Sequence, residues 1–530
     1  MFFRKKKSGK RSYLQVVENR REGSNTKQRV IVTLGRLDEL EEDGKLDSLL
    51  CSGSRFSQSL LVVSAHKKGE APVISSRRIG PSLVFERLWR ESGCKEVIES
   101  LVSSRKFGFY VERAVFLTVL HRLFSSGSDR AAEKWREDYL IEGIDELKLH
   151  HLYRAMEWLG EGNTKDMVEE GLFARRKDLF TSLELVFFDT TSIYFEGAGG
   201  ESLGEYGNSK DHRSDRRQMV VGAVLDNNGR PVCCELLPGN TADVTLLMPV
   251  VDRLRERFGI KNVCIVADRG MISSDTIQEL EELGWQYIFG VPMRKYKEVR
   301  EDVLTRGGRY KDMRTEADKL LKVKEIKVHD RRYVVCLNEG QARKDAIDRE
   351  TMVEALKEKL SKDEKSLIGN KGYRKLLKAV GHGFRIDFDK IKREAKYDGK
   401  YVLTTNTKFD TDDVAKKYKQ LWRVEELFRK IKSILETRPI YHRCDETIRG
   451  HVFCSFLALN LMKELQDRLL EKGYEHEWND LVKDIDNLQE IEVGHDGKRF
   501  LLRTEAKGLC SKAFQAAGVA LPKTVRQIPS

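Results

Sequence analysis

Apolar residues recur every three or four positions between about Gly80 and Phe180, in PSLVFERLWRESG, VERAVFLTVLHRLF and HHLYRAMEWLG. That spacing lines one side of a helix and predicts a helical segment. Ahead of it, the β-prone stretches SYLQVVENRR and KQRVIVTLGRL flank the turn-rich EGSNT. They predict a small hairpin-based unit that ends before Pro81. Beyond the helices come short β-branched and aromatic runs: LELVFFDTTSIYFE, QMVVGAVLD with the turn NNGR, and PVCCELLPGN. These predict three consecutive antiparallel strands. The helical stretch DVTLLMPVVDRLRERFG, the apolar strand NVCIVAD, the helix SDTIQELEELG and the strand WQYIFGVP follow.

Three meandering strands followed by alternating strands and helices describe a mixed α/β sheet of the RNase-H-like kind. After Pro292 the chain becomes highly charged, with β-prone pieces KEIKVHDRRYVVCLN and GKYVLTTN around a lysine-rich helical stretch, which suggests an insertion. From DTDDVAKKYKQLWRVEELFRKIKSIL the pattern is helical again, and IRGHVFCSFLALNLMKELQDRLL adds an apolar helix. The expected partition is a β-containing unit at 1–78, a helical domain at 79–180, and the first segment of the core at 181–292. An insertion at 293–405, the second segment of the core at 406–470 and an unassigned polar tail at 471–530 complete it.

A length of 530 residues fits several cores. No apolar run reaches the ~18 residues of a membrane span. The opening MFFRKKKSGKR has no apolar stretch after its basic cluster, so a secretory signal is not expected and a cytoplasmic, nucleoid-associated protein is. The basic run Arg4 to Arg11 reads as a DNA-contacting arm or an idle tail. Nine cysteines without a C-x-x-C pair favour reduced, buried thiols. A net charge of +12 points to an anionic partner, for which nucleic acid is the commonest choice.

Asp189 ends the first apolar strand and Asp268 ends NVCIVAD, and in the expected topology these strands are neighbours. A lone Asp in D-T-T or D-R-G is more often a turn residue. Two adjacent carboxylates repel unless a cation lies between them, and hard oxygen ligands suit Mg²⁺ or Mn²⁺. Glu425 is the candidate third ligand, on a helix where Tyr418, Glu425 and Lys432 follow at intervals of seven and share a stripe. The plainer alternative is a solvated face with Glu425 paired to Arg429. GNTAD reads as a turn with Asp243 capping a helix, and His212 as a loop histidine without a special role.

These residues resemble the DDE transposases of bacterial insertion sequences, in the Tyr-Arg-Glu-Lys subgroup known as the insertion-sequence-four family. Tyr418, Glu425 and Lys432 fit its signature, while Leu421 stands at the arginine position and Arg423 lies two residues on. YGNSKDHRSDRRQMVVGAVLDNNGRPVCCELLPGNTAD, VADRGMIS and the N-terminal YLQVVENRREG also resemble family blocks.

The resemblance implies an RNase-H-like catalytic core with Asp189, Asp268 and Glu425 holding two Mg²⁺ or Mn²⁺ ions. It also implies a β-containing insertion before the last catalytic helix, after an N-terminal β-hairpin unit and a helical domain, 79–180, that binds DNA ends. The implied partners are double-stranded DNA, as transposon ends and target, and a second copy of the chain in a homodimeric synapse. The implied activity is cut-and-paste cleavage and strand transfer at terminal inverted repeats, through hairpin ends. Tyr418, Arg423, Arg429, Lys430 and Lys432 become candidate DNA contacts, and Tyr401 a candidate platform for an unstacked base. An RNase-H-like nuclease of another role and a catalytically inactive DNA-binding relative are the alternatives.

Overall fold

The computed structural model describes residues 1–22, 25–42, 44–54, 57–67, 69, 72–176, 184–260, 263–314, 320–362, 376–380, 383–495 and 497–528. Strands β1 (Phe2–Ser8), β2 (Arg11–Glu22) and β3 (Asn25–Arg36) form an antiparallel sheet in chain order. The basic N-terminal run is therefore neither a free arm nor an idle tail. Its residues pair along β2, and Arg4 donates to Gln15 and Gln28, each at 2.9 Å. Three helices between Leu37 and Lys67 lead to strand β4, Val73–Arg78.

The catalytic half is built on β5 (Leu185–Tyr194), β6 (Gln218–Asp226), β7 (Pro231–Pro238), β8 (Cys264–Ala267) and β9 (Gln286–Val291). Alternation in β5 sends Phe187 into one core and Phe188 into another, so the strand is covered on both faces. The turn into β7 is closed by Asp226, whose Oδ1 accepts from the backbone of Asn228 and Arg230 at 2.8 Å each. β5 pairs antiparallel with β6 and parallel with β8, and β8 parallel with β9. The resulting order β7-β6-β5-β8-β9 is the mixed RNase-H-like arrangement.

The sheet continues past the expected boundary at residue 292. β10 (Lys311–Arg314), β11 (Leu320–Val328), β12 (Arg331–Leu337) and β15 (Lys400–Thr405) extend it beyond β9 into nine strands. Val402 and Leu403 feed opposite cores, which explains why this β-prone insertion joins the existing sheet rather than making its own. A two-stranded pair, β13 (Leu377–Val380) and β14 (Gly383–Ile386), lies apart from it. The expected single helix after the insertion is two, Thr411–Lys419 and Trp422–Ser433. They are joined by tight bonds from Leu421 N to the Tyr418 carbonyl and Arg423 N to the Gln420 carbonyl, and Leu421 is buried at the joint. Neither glycine nor proline marks this break, so hydrophobic periodicity runs through it unchanged.

The helices between Gly80 and Arg175 share one hydrophobic core with the sheet and with the long helix Asp445–Glu471. At its crossing with helix Leu149–Gly160, a Cβ on Gly160 would overlap the Glu446 carbonyl and one on Gly450 the Met156 carbonyl. These reciprocal glycines let the two backbones touch.

The expected C-terminal tail is folded. β16 (Gln489–His495), β17 (Lys498–Arg503) and β18 (Val525–Gln527) form a sheet whose edge partner is β4. Its alternation is hidden in the sequence because Glu490 and Glu492 are buried, paired with Arg526 and Arg499 respectively. Among the described residues no helix is long and apolar enough to cross a membrane. Eight cysteines, from Cys94 to Cys510, are unpaired, and all of them but the exposed Cys444 are buried. Gly450→Ala is expected to lower stability by about 1–3 kcal/mol through overpacking, read as a lower midpoint of urea unfolding.

Candidate active site

In the parallel pairing of β5 with β8, Phe188 lies opposite Ala267. The next residues, Asp189 and Asp268, therefore emerge side by side, on the face that Phe187 and Val266 share with the helix Trp422–Ser433. Asp268 follows the end of β8 as expected, but Asp189 lies inside β5, which runs on to Tyr194, rather than at its end. Asp189 Oδ1 accepts from the Thr190 backbone N–H at 2.7 Å. Burial pushes its carboxyl up to about 6, against the pull of Lys210 and that N–H, and the charges of Asp268 and Asp243 add to the rise. Asp268 Oδ1 accepts from the Tyr418 hydroxyl at 2.9 Å. Burial, and then Asp268, hold this phenol far above its ordinary value, so it remains a donor. Gly290 on β9 admits it, because a Cβ there would overlap the Tyr418 hydroxyl.

Lys432 lies on the same side of the sheet, its ammonium donating to Thr191 Oγ1 at 2.6 Å and to Asp211 at 2.8 Å. Glu425 is two turns earlier on the same helical flank, in the first turn and exposed. It forms no hydrogen bond or ion pair among the described residues. The structure thus brings Asp189 and Asp268 together with Tyr418 and leaves Glu425 outside that group. Among the described residues no three His, Cys, Asp or Glu side chains are clustered closely enough to hold a metal ion. The alternative pair of Glu425 with Arg429 is absent there too; the i,i+4 pair that forms is Glu426 with Lys430, at 3.1 Å.

The other nominated DNA contacts divide by position. Arg423 donates to the Asn227 carbonyl, and Lys430 also reaches Gln466 at 3.3 Å. Both line a cleft between the helix and Asp445–Glu471, on the flank away from Lys432. Arg429 is exposed. Tyr401 is packed: its ring lies 6.0 Å from that of Tyr418 and 4.7 Å from the Lys419 ammonium.

Sequence reasoning missed the groups that brace the first aspartate from behind. Asp243 is not a helix cap; it opens the short 3₁₀ turn Asp243–Thr245. Its Oδ1 accepts from Thr190 Oγ1 at 2.7 Å, and its Oδ2 lies 3.3 Å from the Lys210 ammonium. Lys210 also donates to the Thr190 carbonyl at 2.9 Å. The block SKDHRSD held these residues in view, but only the fold shows Lys210 and Asp211 engaging different residues of β5 and the signature helix. Beside the site an open groove of about 760 Å³ is lined in part by the basic Lys210, Arg269 and Lys295 and the acidic Asp243 and Asp275.

A family profile described as the transposase DDE domain matches residues 181–461, and one described as the IS1634 family transposase N-terminal domain matches residues 3–66. No curated protein matches. Among solved structures, a piggyBac transposase synaptic complex with hairpin DNA is 10% identical, with 76% of this chain and 79% of that chain covered and a TM-score of 0.38. A Mos1 transposase paired-end complex with the left transposon end is 15% identical, with 34% and 60% covered and a TM-score of 0.15. At those scores neither likeness carries an argument. The first profile spans more than half of the chain, including the strands of Asp189 and Asp268 and the helix of Glu425 and Lys432. The chain therefore belongs to the DDE transposases of bacterial insertion sequences, enzymes that act on DNA with divalent metal.

Proposed function

We propose that this transposase binds the terminal inverted repeats of its own element and cuts and rejoins DNA there, with Asp189, Asp268 and Glu425 as its carboxylate set. Mg²⁺ or Mn²⁺ is the metal, with two ions, and a homodimer in the cytoplasm brings two ends together. The observation that carries the reading is the placement of Asp189 and Asp268 side by side on adjacent parallel strands. The donors fit a hard divalent cation: both are carboxylates, one is raised by burial and by its acidic neighbours, and nearby positive charge does not cancel that rise. Glu425, unpaired among the described residues and on the flank of Lys432, would supply the third oxygen ligand. Divalent ions bound there supply activation of the attacking oxygen and stabilisation of the leaving one in in-line phosphoryl transfer.

The chain's own groups orient this chemistry. The Thr190 N–H holds one Asp189 oxygen and the Tyr418 hydroxyl one Asp268 oxygen, leaving the others for ligation. Lys432 is the phosphate contact nearest the carboxylates, and Arg429 is free to meet the backbone beyond it. Arg423 and Lys430 would act on DNA only after leaving their present partners. Tyr401, the expected base platform, would have to leave its packing against Tyr418 and Lys419 to take a base, and the hairpin route rests on the resemblance alone.

Asp189→Asn, Asp268→Asn and Glu425→Gln are each expected to abolish Mg²⁺-dependent cleavage of duplexes copied from the flanks of the coding sequence while leaving gel-shift binding intact. Cleavage by any of the three at the parental rate sinks the assignment of that residue. The same gel reads hairpin ends as a slower-migrating product under denaturing conditions.

A second expectation concerns metal-free stability. The folded-state pKa of Asp189, about 6, lies above the ordinary carboxyl value of 3.8, so the folded chain binds the proton more tightly than the unfolded one. Its contribution is fully present below about pH 4 and is lost as pH rises through about 6. Asp189→Asn removes that loss, and should be more stable than the parent by about 3 kcal/mol at pH 7.5 in chelator and nearly level with it near pH 4. Equal denaturation midpoints at both pH values would contradict the buried-charge account.

A further inference from the structure

Leu421 leaves the signature arginine position without a charge, since its side chain is buried at the joint between two helices. A different arginine converges on Lys432. Arg438 Nη1 lies 2.7 Å from Asp211 Oδ2, while the Lys432 ammonium donates to Asp211 Oδ1 at 2.8 Å. One carboxylate is thus gripped by two cations from opposite sides. Its side chain is 7% exposed, against 12% for Lys432 and 28% for Arg438.

We infer that Lys432 and Arg438 form a two-cation site for a DNA phosphodiester, in which the Asp211 carboxylate stands in for the phosphate when DNA is absent. This rests on the reading of Lys432 as a DNA contact given above. Four observations carry it. The site is tied to the catalytic strand, because Lys432 also donates to Thr191 Oγ1, on the residue two beyond Asp189 and on the same strand face. A phosphate held here neighbours the scissile one.

Arg438 is held in place by its flanks. Thr437 N donates to the Ile431 carbonyl at 3.1 Å, and Thr437 Oγ1 to Ser455 Oγ at 2.8 Å. Ile440 pairs with the end of β5, its N donating to the Tyr194 carbonyl at 3.3 Å. The guanidinium itself lies 5.6 Å from the centroid of the Tyr194 ring. A planar fork positioned in this way suits a phosphate.

The carboxylate fits the pair incompletely. Arg438 approaches Oδ2 closely but off the hydrogen-bonding direction, so that oxygen is buried without an aligned donor. Two cations face one negative charge, and Lys210 adds further positive potential at Lys432. Finally, Asp211 belongs to a turn that can release it. The next residue, His212, holds a left-handed φ of +57° without being glycine, a strained conformation for an L side chain. The turn is closed by the modest contacts His212 N to the Ser209 carbonyl, 3.3 Å, and Arg213 N to Ser209 Oγ, 3.0 Å.

The test uses the full chain, without added divalent metal, titrated by fluorescence anisotropy with a labelled duplex copied from the flanks of its coding sequence over a series of salt concentrations. Arg438→Ala is expected to weaken binding about tenfold and to reduce the slope of log K against log salt by about one, as loss of one phosphate contact does. Arg438→Lys should recover part of both, and Asp211→Asn should bind several-fold more tightly than the parent. Unchanged affinity and slope in Arg438→Ala, with Lys432→Ala weakened, overturns the two-cation site. Unchanged binding in Lys432→Ala overturns instead the underlying reading of that lysine. An Asp211→Asn protein that melts normally yet binds no more tightly overturns the stand-in role. If it does not fold, Asp211→Ser replaces it, and the arginine variants decide the site by themselves.

Discussion

Two carboxylates held side by side in a sheet covered on both faces are the constraint around which this chain is organised. Removing a charge from water costs several kcal/mol unless other groups replace the solvent. Asp189 bears that cost in part, which is why burial raises its carboxyl to about 6 in the absence of metal. The surroundings hold the pair in position rather than neutralise it. A backbone N–H fixes one oxygen, a phenol fixes another, and a glycine on the next strand leaves room for the phenol. What remains uncompensated is the negative charge that attracts a cation.

The loop between β5 and β6 ties this centre to its surroundings. Lys210 reaches the Thr190 carbonyl and Asp243 behind the strand, while Asp211 reaches Lys432 and Arg438 on the helix side. Adjacent residues of one turn therefore report on opposite layers of the molecule. A movement of that turn would be felt at Asp189 and at the signature lysine together, since the same strand carries both contacts.

The sheet was legible because strands buried on both faces leave near-continuous apolar runs, and its two aspartates because each interrupts such a run, although β5 continues past Asp189. The spacing of seven that suggested one stripe holds only for Glu425 and Lys432, because Tyr418 lies on the preceding helix. The break at Leu421 was not legible, because a tight turn without glycine or proline leaves helical periodicity intact. β16 was not, because its inward acidic residues are satisfied by arginines that arrive from elsewhere in the chain. Asp243 and Arg438 escaped for a related reason: their partners are set by tertiary approach, and nothing in their local sequence announces it. Of the insertion strands β11, β12 and β15 were recognised as β-prone and β10, β13 and β14 were not, and sheet membership depends on an edge that only the folded core presents.

The pairing of β4 with β16 has a consequence for synthesis. Arg78 and its partner Gln489 are separated by most of the chain. At ribosomal speeds of about 5–20 residues per second, β4 waits roughly 20–80 s for its neighbour to emerge. During that interval the preceding helices and the early half of the sheet lie beside an unpaired strand edge, the kind of surface that recruits other extended chains. The nascent polypeptide is therefore most exposed to misassociation just before its final strands arrive, and closure of the last sheet ends that period.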